Sequence, residues 1–134
     1  MAKETTRPAT KGDARLFLAK AEQFLSAAES ATEAQQWDAA GLAGIHAGIS
    51  AADAVASYYG GVRSASRDHR AAVELLVQTI GPDASGASRH LKRLIDKKNL
   101  VEYEQRRLTA AEAADLVEHA RRFVRWARTK LPEW

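Results

Sequence analysis

Three glycines set inside a helical run constrain this chain more than any other feature. Gly41, Gly44 and Gly48, continued by Ala51 and Ala52, recur every three or four residues along one face of the segment from about Trp37 to Tyr59. Each glycine costs about 1 kcal/mol relative to alanine in a helix interior. Three on one face therefore need an offset, and close approach of a neighbouring helix provides it. The neighbour can belong to the same bundle or to a second subunit. A single tight contact in a helical bundle accounts for the pattern, so packing within the bundle is the expectation.

The rest of the chain reads in the same periodicity. Asp13 can cap a first helix carrying Leu16, Phe17, Ala21, Phe24, Leu25 and Ala28, which ends near Ala31 to Gln36. Gly60-Gly61 suits a left-handed cap after the second helix. Ser66 or Asp68 can open a third, with Ala72, Val73, Leu76 and Ile80 inward, and Gly81-Pro82-Asp83 ends it. A fourth runs from Ser85 or Ser88 to about Lys98, turning Leu91, Leu94 and Ile95 inward. The fifth has the clearest start: Thr109 with Glu112 forms a capping box, and Leu108 precedes it as a staple. Ala113, Leu116, Val117, Ala120, Phe123, Val124, Ala127 and Leu131 then make one continuous apolar stripe, stopped by Pro132.

No segment alternates apolar and polar residues in a β-branched context, and alanine is about a fifth of the chain. No repeat of about 34 residues recurs. The expected architecture is all-α, an up-and-down bundle of four to five helices in one domain spanning residues 13–134, after a disordered tail at 1–12.

Several chemistries are excluded. With no cysteine, disulfides and thiolate metal sites are impossible. Phosphate-binding loops and the Gly-x-Ser-x-Gly elbow are missing. The four histidines are isolated in sequence, without the spacings of a metal motif, so neither metal nor cofactor is expected. His46 reads as a hydrogen-bonded core or boundary residue, His69 lies in the first turn of the third helix, His90 sits among basic residues, and His119 flanks the last apolar stripe. The apolar run Ala39 to Ala56 carries His46 and Asp53 and is too polar and short to span a bilayer, so no membrane association and a cytoplasmic location are expected.

The net charge of +3 conceals an asymmetry. Residues 89–130 hold 12 Lys or Arg against 6 Asp or Glu, and the remainder is mildly acidic. Part of this is the preference of helix C-termini for cations; the rest suggests a polyanionic partner.

One segment remains, Leu94-Ile95-Asp96-Lys97-Lys98-Asn99-Leu100-Val101-Glu102-Tyr103-Glu104, followed by Arg106 and Arg107. Together with the Ile49-Ser50-Ala51-Ala52-Asp53-Ala54 run, the Gly60-Gly61 turn, Asp68-His69-Arg70 and the Thr109 to Ala113 helix start, it resembles the HEPN family over roughly residues 14 to 131. That family comprises small helical domains of prokaryotic toxin–antitoxin and defence loci and of larger RNA-processing proteins. In its ribonuclease members an Arg is followed after four to six residues by a His near a dimer cleft. The resemblance places Lys98 at the Arg position and Tyr103 at the His position. Tyrosine, with a pKa near 10, is a poor proton acceptor at neutral pH, and lysine lacks the bidentate grip of arginine on phosphate. The usual Arg-His ribonuclease mechanism is therefore not expected.

The resemblance instead implies a homodimeric module that binds RNA, a nucleotide or a cognate protein. Lys97, Lys98, Arg106 and Arg107 would supply charge, and Asn99 and Tyr103 hydrogen bonds or stacking, from the connection ahead of the last helix. Two alternatives stand beside it. In one, the chain is an atypical metal-independent ribonuclease using Lys98 and Tyr103, with His90 or His69 as the missing base. In the other, it is a structural partner of a nucleotidyltransferase, for which Tyr103 stands slightly off the required position.

Overall fold

The computed structural model describes residues 6–65 and 70–134. Five helices form the bundle: α1 (Lys11–Glu33), α2 (Trp37–Gly60), α3 (Arg70–Ile80), α4 (Ser85–Tyr103) and α5 (Ala110–Lys130). A 3₁₀ turn at Pro82–Ala84 leads into α4, and two short strands, β1 (Thr6–Pro8) and β2 (Val62–Ser64), complete the structure. The fold is all-α, as the periodicity implies.

Helix α2 is the central element, buried on most of its surface by α1, α4 and α5. The glycine face packs within the bundle. A Cβ on Gly41 would lie 2.4 Å from Leu108 Cδ1, and one on Gly48 would lie 2.5 Å from Leu94 Cδ1. Gly44 faces Leu116 and Ala120 of α5 at ordinary contact distances of 3.5 to 3.7 Å. The missing side chains thus let α4, α5 and the Leu108 staple close onto α2. By length and composition α2 could cross a bilayer, contrary to the shorter, more polar reading of this run. Its full 24 residues include Tyr58 and Tyr59, and 72% of its apolar window is buried in the bundle. That burial is what a core helix requires.

The apolar stripe of α5 is buried throughout, from Ala113 to Leu131, with Phe123 fully enclosed. Thr109 and Glu112 form the expected capping box, and Gly61 closes α2 in the left-handed conformation with φ of 66°. The first helix begins earlier than its sequence suggests. Thr10 is the N-cap, and Asp13, read as the cap, is the third helical residue that returns the bond to the Thr10 N–H at 2.8 Å. Of the tail expected to be disordered, residues 1–5 lie outside the described residues, Thr6–Pro8 form β1, and Lys11 and Gly12 already belong to α1. Ser66, Asp68 and His69, read as the opening of the third helix, lie outside the described residues.

The two strands escape sequence reading for a physical reason. Each has three residues, too few for an alternation, and their antiparallel register sets Arg7 against Arg63, a pairing that local rules disfavour. Tertiary anchoring holds them: the Ser64 N–H donates to Asp53 Oδ1 of α2 at 3.2 Å, and the Ala9 N–H donates to the Gly61 carbonyl at 2.9 Å.

The other departure concerns α4. Expected to end near Lys98, it continues to Tyr103, because residues 98–103 contain neither glycine nor proline and half-buried Leu100 and Val101 extend its contact with the core. The segment read as a connection ahead of the last helix is therefore mostly helix.

Two outcomes follow. Replacing Gly44 by Ala, where space exists, should raise stability by about 0.5–1 kcal/mol, whereas Gly48→Ala must displace the fully buried Leu94 and should cost about 1–3 kcal/mol, as read from urea unfolding. Burial pushes the Asp53 carboxyl from 3.8 up to about 6, against the opposing effects of the Ser64 N–H, Arg63 and Lys20. Between pH 4 and 6 the folded state thus keeps a proton that the unfolded chain has released, so this group's contribution to stability falls as pH rises. Asp53→Asn should abolish that slope and be the more stable form at pH 7, by on the order of 1–3 kcal/mol. A wild-type-minus-variant difference that is flat with pH would reject this.

Candidate functional site

The inward stripe of α4 runs Leu91, Leu94 and Ile95, then reaches Lys98 and Glu102 one and two turns later. Two charged residues thus occupy positions that the helix period reserves for apolar side chains. Their side chains are only 13% and 17% exposed, and they pair at 2.8 Å. Helix electrostatics do not explain this pair, because Lys before Glu is the less favourable order and a carboxylate opposes the dipole at a helix C-terminus. The third member does: His46 of α2 places Nε2 3.4 Å from the other oxygen of Glu102. Phe24 of α1 flanks the imidazole, with ring centroids 5.4 Å apart at 32°.

The electrostatics follow from this enclosure. The hydrogen bond from Lys98 holds the Glu102 carboxyl below the usual carboxylate range, although burial opposes it. Burial pushes His46 below its ordinary value, with Glu102 resisting, which favours the neutral imidazole. The result is a neutral imidazole, a carboxylate and an ammonium in one line, with Tyr103 at its outer end. Tyr103 is 71% exposed, and Lys98 Nζ stands 5.7 Å from its ring centroid.

The remaining residues singled out from the sequence divide among three places. Asn99 is exposed and Lys97 half-buried, both on α4 beside the cluster. Arg106 is drawn to α5, where it grips Glu112 through two bonds of 2.9 and 2.7 Å. That contact is the main cause pushing the Glu112 carboxyl down to about 2. Arg107 extends toward the start of α2, its Nε 3.7 Å from Asp38, whose other oxygen accepts from the Leu108 N–H at 2.8 Å. Lys98, Arg106 and Arg107 are thus each committed to a carboxylate and do not converge as one cationic surface.

His90 is absent from the cluster. It lies eight residues before Lys98 on α4 and faces His119 of α5 instead, while His69 lies outside the described residues. The imidazole that joins this cluster is His46, held against Glu102, and no local spacing announces it, since Lys98 lies 52 positions further along the chain. The usable sequence signal is the charge at 98 and 102 on an otherwise apolar stripe, which demands a buried partner. Among the described residues, no group of three or more His, Asp or Glu gathers as metal ligands.

Glu102 is the hub of this cluster, and its neutralisation should show it. In Glu102→Gln, His46 loses the charge that raises its pKa, so its midpoint should move below the wild-type value in an NMR titration while that of His90 stays in place. The variant should also lose about 1–3 kcal/mol of stability, because Lys98 is left enclosed without its counter-ion. An unmoved His46 midpoint would show that the two groups do not interact in solution.

The sequence model of the HEPN domain matches residues 14–130, almost the span over which the motifs resemble that family. No curated protein matches the chain. A match over most of the length, on an all-α bundle whose α4 carries the Lys98 to Tyr103 element, places this chain in the HEPN domain family.

Proposed function

We propose that this HEPN chain is an RNA-binding module of a toxin–antitoxin or defence system, acting as a homodimer without the family's Arg-His cleavage pair. One observation carries the reading: Tyr103 stands 71% exposed at the end of α4, where an aromatic face can receive a base. Exposed Asn99 adds hydrogen-bonding capacity beside it. Cations that meet no carboxylate among the described residues, including Arg89, Lys97 and Arg125, supply attraction at longer range. Arg106 and Arg107 can exchange exposed ion pairs for phosphate at small cost, since such pairs are worth about 0–1 kcal/mol.

Single-stranded RNA should bind with an affinity that falls steeply with salt. Tyr103→Ala should weaken binding by about 1–3 kcal/mol, while Tyr103→Phe, which keeps the stacking face, should retain most of it. Neutralising Lys97 and Arg106 together should make the salt dependence shallower, by somewhat less than one unit of slope for each phosphate that the variant no longer neutralises. Binding indifferent to salt, to Tyr103→Ala and to the double neutralisation would reject the reading, and sedimentation of the chain as a monomer at micromolar concentration would reject the dimer.

A second reading, an atypical metal-independent ribonuclease, has His46 in its favour. This imidazole can act as the proton acceptor that the motif itself lacks, held 3.4 Å from Glu102 in the cluster that includes Lys98. Release of a 2′,3′-cyclic phosphate product that is lost in His46→Ala would favour this reading over binding alone.

A further inference from the structure

We propose that His90 and His119 form a two-histidine site for a borderline transition-metal cation such as Cu²⁺, Ni²⁺ or Zn²⁺, bridging α4 and α5. Their Nδ1 atoms face each other at 2.8 Å, with the rings tilted by 46°. Two imidazole nitrogens that close repel unless a proton or a cation lies between them. Both residues stand at the edge of the core, each beside a fully buried neighbour, Leu91 and Ala120. The side chains are therefore fixed toward the same seam yet remain open to solvent, and His119 is 27% exposed.

The surroundings set the tautomers. Asp115, one turn before His119 on α5, places Oδ1 3.4 Å from His119 Nε2. A carboxylate there favours the proton on Nε2 and leaves the Nδ1 lone pair directed at His90, the arrangement that orients metal-binding histidines. With no metal, His90 Nδ1–H fills the gap by donating to it. A metal ion takes that place once the His90 proton passes through solvent to its own Nε2, and both Nδ1 lone pairs then point at one centre.

The distances permit the exchange. Metal–nitrogen bonds of about 2.0–2.1 Å in tetrahedral geometry set the two nitrogens about 3.3 Å apart, roughly half an ångström wider than the proton-bridged pair. Two half-exposed rings can open by that amount through small rotations. Water completes the coordination. Nitrogen ligands select Cu²⁺, Ni²⁺ and Zn²⁺ over Mg²⁺ and Ca²⁺, which take oxygen.

The charges facing the pair do not forbid a cation. Arg93 is engaged with Asp115 at 3.2 Å, and Arg122 with Glu118 at 2.9 Å, leaving Arg89 as the nearby unpaired cation among the described residues. The ligands are 29 positions apart on two helices, so metal-motif spacings in the sequence do not reveal them.

The test is calorimetric titration of the full chain, free of any histidine tag, with Cu²⁺ and with Zn²⁺. Binding of one ion per chain is expected, weakened at least tenfold in His90→Gln and in His119→Gln, and unchanged in His46→Ala. Asp115→Asn should weaken it about tenfold by releasing the orientation of His119. The electron paramagnetic resonance spectrum of the Cu²⁺ form should show two nitrogen ligands, and the thermal midpoint should rise with Zn²⁺ in the wild type and not in either histidine variant. Absence of binding at millimolar metal, or binding that survives both His90→Gln and His119→Gln, would overturn the proposal and leave the pair as a shared proton.

Discussion

The close approach of neighbouring elements to the glycine face of α2 is the constraint on which this structure depends. Leu94 of α4 and Leu108, just ahead of α5, occupy the space that side chains at 48 and 41 would fill, and the α5 backbone lies against Gly44. A helix that carries three glycines gives up intrinsic propensity, and packing density at the contact offsets it. The consequence reaches beyond stability. Because α4 is seated so tightly on α2, the last turns of α4 are held against the flank of α2, and His46 meets Glu102.

That meeting sets the character of the candidate site in this chain. Charged side chains at the two positions where α4 should present apolar groups are tolerated because each has a partner: Lys98 has Glu102, and Glu102 has His46 as well. The cost of enclosing the three groups is met only while all are present. Tyr103, at its edge, is the exposed group, displayed by the same helix that buries its neighbours. The cationic surplus of the last third of the chain is largely absorbed by carboxylates: Arg128 reaches Glu22 on α1, Lys130 reaches Asp83, and Arg121 and Arg122 share Glu118. A basic sequence segment need not make a basic surface.

A second seam lies along α4 and α5, where Arg93 with Asp115 and His90 with His119 form successive rungs. It stands two helical turns from Lys98 along α4, so the two histidine-containing clusters of this helix are separate in space. One faces α2 and joins its imidazole to a carboxylate and an ammonium; the other faces α5 and joins two imidazoles.

The sequence by itself determined the helices, the buried stripe of α5, its capping box and the demand for close packing at α2, because these rest on periodicity and on local hydrogen bonds within four residues. It also carried the family likeness. Tertiary structure alone decided that the glycines face α4 and α5, that His46 and not His90 joins Glu102 and Lys98, and that β1 pairs with β2. Residues 46 and 102 share no local geometry until two helices pack, and a three-residue strand opposite its own kind of charge has no local signal at all. Periodicity sets which face of a helix is covered; what covers it depends on contacts between residues far apart in the chain.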